Sequence, residues 1–111
     1  MYERVLGRAK RVLVIGAVGD SPQISPDAAL APDGMLIVIE ADAARAAEIR
    51  SRLEKDGSAR RAVIGGDPIR MLHKLAGPFD VIFCNPAYLS LRPMLEKLLA
   101  TDGVLITNGE P

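Results

Sequence analysis

Five short apolar runs punctuate this chain: Val12 to Ile15, Met35 to Ile39, Ala62 to Ile64, Asp80 to Cys84 and Val104 to Thr107. They are rich in β-branched residues and do not alternate polar with apolar, which is the pattern of strands buried on both faces. Between them the apolar spacing switches to threes and fours, the period of helices. Ser25 as N-cap and Pro26 at the first helical position open a short helix that ends near Ala31, and Pro32-Asp33-Gly34 turns into the second run. Asp42 caps the longest helix, Ala43 to Lys55, with Ala46, Ile49 and Leu53 on one face and Glu48 and Arg52 as an i,i+4 pair on another. Asp56-Gly57 stops it. Pro68 opens a helix in which Ile69, Leu72 and Leu75 share a face, and Gly77-Pro78 ends it. Asn85-Pro86 halts the fourth run, Ser90 caps a helix carrying Leu91, Met94, Leu95, Leu98 and Leu99, and Asp102-Gly103 turns into the fifth. Residues 2 to 10 read as a short amphipathic helix with Val5 and Leu6 inward.

Strands alternate with helices and no hairpin signal occurs, so the chain reads as successive βαβ units. Their right-handed crossovers give a parallel sheet covered by helices on both faces, an α/β, Rossmann-like doubly wound fold. One hundred and eleven residues suffice for one core, hence one domain over residues 1–111.

Charge and composition narrow the function. Lys plus Arg and Asp plus Glu each count 14, and a net charge of zero does not favour a protein that grips nucleic acid through its phosphates. No apolar stretch approaches the roughly 20 residues that span a bilayer. The amino terminus lacks the apolar core of a signal peptide. The single cysteine, Cys84, lies inside an apolar run and reads as a small core residue in a reducing compartment. The expectation is a cytoplasmic protein.

The chemistry centres on the turn after the first strand, where Val12 to Ile15 breaks at Gly16, with Gly19 and Asp20 following. A strand that ends in glycine and leads to a helix lets backbone approach a ligand and aims N–H groups at it. The same spacing also serves a tight turn with no ligand. Glu40 ends the second run about 20 residues on, where a carboxylate that accepts from ribose hydroxyls is expected.

These segments resemble the class I S-adenosylmethionine-dependent methyltransferases, above all the small O-methyltransferases of the caffeoyl-CoA type. Gly16-Ala17-Val18-Gly19 is similar to the family's first motif, Asp33 to Glu40 to its second strand with the ribose-binding acid, and Ala41-Asp42-Ala43 to the helix start that follows. Gly65-Gly66-Asp67 resembles the Gly-Asp pair whose acid meets the adenine, while Phe79 to Cys84 and Asp102 to Ile106 resemble its fourth and fifth strands. The resemblance covers about residues 11 to 109 and implies strand order 3-2-1-4-5. It places S-adenosylmethionine over the carboxyl ends of strands one and four, with Gly16, Ala17, Gly19, Asp20, Glu40, Ala41, Asp67, Pro68 and Asn85 as its contacts.

The departures from the family are specific. Val14 stands where an acid is usual, and Asp20 replaces the last glycine of the first motif. At the positions of the family's metal ligands stand Asn85 and Asn108-Gly109; neutral amides are weak ligands for hard cations, so no catalytic metal is expected. Asn85-Pro86-Ala87-Tyr88 differs by one residue from the Asn-Pro-Pro-Tyr of methyltransferases that act on amino groups. There the asparagine accepts from the target amine and the aromatic ring stacks on the substrate, which makes Asn85 and Tyr88 the candidate catalytic residues. A strand-end turn accounts for the same four residues equally well. Three functions stay open: methyl transfer from S-adenosylmethionine, with oxygen of a small molecule ahead of an amino group; a binding module that keeps the fold without the chemistry; and a dinucleotide-binding domain, which fits least because the glycines miss the G-x-G-x-x-G spacing. The family's strand 6/7 hairpin has no counterpart in this sequence, so the fifth strand is expected at an open edge, covered in a homodimer.

Overall fold

Val12, Leu13, Val14 and Ile15 are all buried, the outcome that their uniform apolarity demands. They form the centre of β1 (Ala9–Ile15), which lies between β2 (Leu30–Glu40) and β4 (Phe79–Cys84) and pairs in parallel with both. β3 (Arg60–Gly65) extends the sheet beyond β2 and β5 (Leu99–Thr107) extends it beyond β4, giving the order 3-2-1-4-5. The computed structural model describes residues 9–16, 30–54 and 60–107. Among them, no helix is long and apolar enough to cross a membrane.

Alternate strand residues feed two apolar layers. Val12, Val14, Leu36, Val38, Val81, Phe83 and Ile106 face one way and pack with Ile49 of α1 (Ala43–Glu54). Leu13, Ile15, Ile37, Ile39, Ile82 and Cys84 face the other. There they meet Leu72 of α2 (Pro68–Leu72) and Leu95 of α3 (Arg92–Leu98). A side chain such as Phe79 or Leu95, removed wholly from water, contributes about 1.5–3 kcal/mol. The central strands therefore carry most of the hydrophobic stabilisation, and the half-buried residues of β3 and β5 carry less.

At the amino edge, the Asp80 carboxylate accepts from the main-chain N–H groups of Lys10 (2.8 Å) and Arg11 (3.2 Å) and so ties β4 to β1. The Arg11 guanidinium lies over the Phe79 ring, 4.8 Å from its centroid, and donates to the Ala76 carbonyl at 2.8 Å.

Several boundaries differ from the expected ones. Ala9 and Lys10 belong to β1 rather than to an N-terminal helix, and residues 2–8 lie outside the described residues. Leu30 and Ala31 belong to β2, not to the end of a helix; Ser25 and Pro26 lie outside the described residues. The reason is a bulge. Pairing steps from Ala9–Leu30 to Arg11–Met35, so Pro32-Asp33-Gly34 is absorbed within the strand instead of preceding it. Lys10 closes over it through a 2.6 Å ion pair with Asp33.

A matching irregularity lengthens β5. Pairing jumps from Phe79–Leu99 to Val81–Val104, so Leu99 is a strand residue opposite the buried Phe79 and not part of the preceding helix. Gly77 permits this approach: a Cβ there would stand 2.8 Å from the Leu98 carbonyl oxygen.

Two helix expectations are also corrected. Ser90 caps nothing. It lies exposed in a 3₁₀ turn, Pro86–Leu91, and α3 starts after Leu91, with a proline in its first turn that needs no hydrogen-bond acceptor. α2 ends at Leu72, so its buried face is Pro68 with Leu72, while Ile69 is 49% exposed and Leu75 packs from beyond the helix end. α1 begins after Asp42 as expected: the Asp42 carboxylate accepts from Ala44 N–H at 2.9 Å and Arg45 N–H at 3.2 Å. The side chains of Arg52 and Leu53 lie outside the described residues.

Candidate functional site

β1 is the strand at which the order of connections reverses, since the chain leaves it towards β2 and β3 on one side and later returns to β4 and β5 on the other. In open α/β sheets, ligands bind outside the carboxyl ends of the strands at such a point. Here those ends are Ile15-Gly16, Glu40, Gly65-Gly66 and Cys84-Asn85, and main-chain bonds hold them level. Gly16 N–H donates to Ile39 O (2.8 Å), Asn85 N–H to Ile15 O (3.0 Å) and Gly66 N–H to Glu40 O (3.0 Å). Gly16 alone among the described residues has positive φ, at 75°, so the turn demands glycine on conformational grounds.

Glu40 is the one buried charged residue among those described, 6% exposed. One carboxylate oxygen, Oε2, accepts from Asp42 N–H at 2.9 Å. The other, Oε1, is fully buried and has no hydrogen-bond partner among the described residues. An unpaired buried acceptor of this kind costs about 1–3 kcal/mol, more when charged, so its position at the ligand edge calls for a donor. A ribose hydroxyl is a donor of the right kind, and on this observation the residues fit an adenosine-bearing cofactor. Ala41, beside it, is exposed.

The other expected contacts divide. Asp67 is exposed and N-caps α2, its Oδ1 accepting from Ile69 N–H at 3.0 Å, while Pro68 is buried in the first turn of that helix. Asn85 is half-buried, and its carbonyl accepts from Tyr88 N–H at 2.8 Å, which bends the chain into the 3₁₀ turn. The Tyr88 ring then lies against Gly16. A Cβ on Gly16 would be 2.8 Å from Tyr88 Cε2 and 3.1 Å from Asn85 Cβ. The structure thus brings Gly16, Asn85 and Tyr88 together, with Glu40 and Asp67 on the far side of β1. Ala17, Gly19 and Asp20 lie outside the described residues.

Sequence reasoning missed two features. Met71 packs round Gly66, its Cγ 3.5 Å from where a Cβ would stand, and its place four residues after Asp67 on a helix was the available signal. Among the described residues, the exposed large apolar side chains, Ile69 and Leu89 (38%), both follow carboxyl ends of strands, one on each side of the switch point. His73 is exposed. Cys84 is fully buried, and desolvation pushes its thiol pKa up to about 11, so it is an inert core residue.

The architecture recurs in solved structures. The O-methyltransferase TomG of Streptomyces achromogenes, involved in tomaymycin synthesis and crystallised with S-adenosylmethionine, superposes with a TM-score of 0.71 at 29% identity, over 90% of this chain and 48% of its own. A Klebsiella pneumoniae protein assigned as an O-methyltransferase gives 0.71 at 27% identity, over 91% of this chain and 49% of that one. The Escherichia coli protein yhhF, assigned as a methyltransferase, shares the fold, with a TM-score of 0.64 at 22% identity over 94% and 58%. The chain thus spans about half the length of the structures it matches. No protein-family profile and no curated protein matches it. Its fold is that of the class I S-adenosylmethionine-dependent O-methyltransferases.

Proposed function

We propose that this chain binds S-adenosylmethionine and transfers its methyl group to an oxygen of a small molecule. The observation that carries the reading is Oε1 of Glu40, buried and without a partner among the described residues, at the ligand edge of β2. TomG, crystallised with the same cofactor, supports it. Glu40 would accept from the ribose, and Asp67, with one oxygen committed to the cap of α2, retains the other for the adenine amine. S-adenosylmethionine, when bound, supplies a methyl group activated by its sulfonium. The protein's part is then to hold the acceptor in line, and orientation alone can lower a barrier by about 7–11 kcal/mol. Few side chains are needed for that.

The convergence of Asn85 and Tyr88 on Gly16 favours a second acceptor, an amino group, whose hydrogens Asn85 would accept while the ring stacks on a planar substrate. Titration calorimetry with S-adenosylmethionine, S-adenosylhomocysteine and NAD tests the cofactor. Binding of the first two with NAD silent is the expected result, and silence from all three would leave a fold without the chemistry. Methyl transfer from labelled cofactor to matched phenol and arylamine acceptors then separates oxygen from nitrogen.

A further inference from the structure

Gly16 occupies the middle of the site in a literal sense. It ends β1, with Glu40 at the end of β2 on one side and Asn85 after β4 on the other. Anything that reaches from Glu40 to Asn85 crosses Gly16. Yet the volume a side chain on Gly16 would fill is taken by the edge of the Tyr88 ring, with Cε2 at 2.8 Å and Cδ2 at 3.2 Å from the Cβ position. The absence of a side chain at residue 16 therefore makes a seat for the phenol.

The ring packs, half-buried, against the apolar layer that contains Ile15 and Cys84, and the turn that carries it is short. Tyr88 lies in a 3₁₀ turn of six residues, not in a long helix, and its own backbone departs from helical geometry (φ −109°, ψ 18°). Its main-chain N–H is fixed by the Asn85 carbonyl at 2.8 Å, so the backbone can stay in place while the side chain changes rotamer. The ring is half-buried, so leaving its seat uncovers only part of its apolar area.

We infer that Tyr88 gates the site: its ring on Gly16 and a cofactor crossing Gly16 exclude one another, and the ring swings off its seat as cofactor enters. The inference rests on the reading of this edge as the S-adenosylmethionine site. A ring seated nine-tenths of the time lowers the apparent affinity about tenfold, because only the open fraction binds.

The test uses S-adenosylhomocysteine as the probe. By calorimetry Tyr88→Ala should bind it about tenfold more tightly than the parent, and Tyr88→Phe, which keeps the ring, should match the parent. The chain has no tryptophan and only two tyrosines, so in a Tyr2→Phe background all the emission comes from Tyr88. Its quenching by acrylamide should rise when the probe saturates the site, a readout that does not depend on the fold of the alanine variant. If the parent binds but Tyr88→Ala binds no more tightly, or if quenching stays unchanged at saturation, the gate is overturned and the site stands. If neither parent nor variant binds, the site reading falls and the gate falls with it.

Discussion

Glu40→Gln separates a binding role from a structural one because the two predict opposite changes. The substitution conserves volume, and the remaining side-chain oxygen can still accept from Asp42 N–H, the 2.9 Å bond that Oε2 makes now. What it removes is the charge and the free acceptor at Oε1. A hydrogen bond to a charged acceptor is worth about 1.5–3 kcal/mol, so affinity for S-adenosylhomocysteine should fall about 10- to 150-fold. The free protein should gain, since a 6%-exposed carboxylate with an unpaired oxygen is a cost that a neutral amide reduces. If the gain is about 1 kcal/mol, Tm rises by about 4–8 °C for a domain of this size. Calorimetric titration and a thermal melt on the same preparation read both quantities. Unchanged affinity would refute the ribose contact. A fall in Tm together with a fall in affinity would show that Glu40 matters as scaffold, and the argument from its orphaned oxygen would be wrong.

Other substitutions probe the neighbouring elements. Asp67→Asn keeps a capping oxygen for Ile69 N–H and should weaken cofactor binding while barely moving the melt, whereas Asp67→Ala should also cost about 0.5–2 kcal/mol of stability; an Asn variant with parental affinity takes Asp67 out of the site. Gly16→Ala combines a positive φ with a clash on the Tyr88 ring and should destabilise by about 1–3 kcal/mol. Adding Tyr88→Ala should recover the steric part, and strictly additive melts would show that ring and glycine are uncoupled. Cys84 should resist iodoacetamide at pH 8 until the protein unfolds. Because folding raises its pKa from 9.0 to about 11, its stabilising contribution is complete below pH 9 and disappears as pH rises to about 11, which denaturant melts across that range can follow. Sedimentation of the chain at tens of micromolar tests whether β5, paired only with β4 among the described residues, is covered by a second copy; a monomer is the result against it.

The legible parts of this protein are those set by local chemistry. Unbroken β-branched runs marked β1, β2 and β4, and Asp42 and Asp67 announced the helices that they cap. Glu40 was legible as a strand-ending acid, but its burial was not, because that depends on the turn to Asp42 and on the sheet around it. The errors share a cause. Pro32-Asp33-Gly34 and Asp102-Gly103 are strong turn signals, and each does turn the chain, but at a bulge within the strand, where the register with β1 or β4 shifts, and not ahead of the strand. Ser90 had the chemistry of an N-cap, but Pro93 set where α3 starts. The seat of Tyr88 on Gly16 joins residues far apart in the chain, and no local pattern encodes it.

The strand order also governs how the chain reaches its native state. β1 is synthesised first yet lies at the centre, and one of its two edges is filled by β4, which pairs Val12 with Val81. A nascent chain can zip β1 to β2 and β3 early, but half of the central strand's main-chain groups find no partner until residues beyond 80 have left the ribosome. Contacts so distant in sequence are slow to form, and an apolar strand with an open side is prone to pair with a neighbouring molecule in the meantime. Yield in the cell should therefore respond to growth temperature and chaperone supply more strongly than equilibrium stability suggests. A version permuted to begin just before β4, which would shorten the sequence separation between β4 and β1, should refold faster with the same sheet.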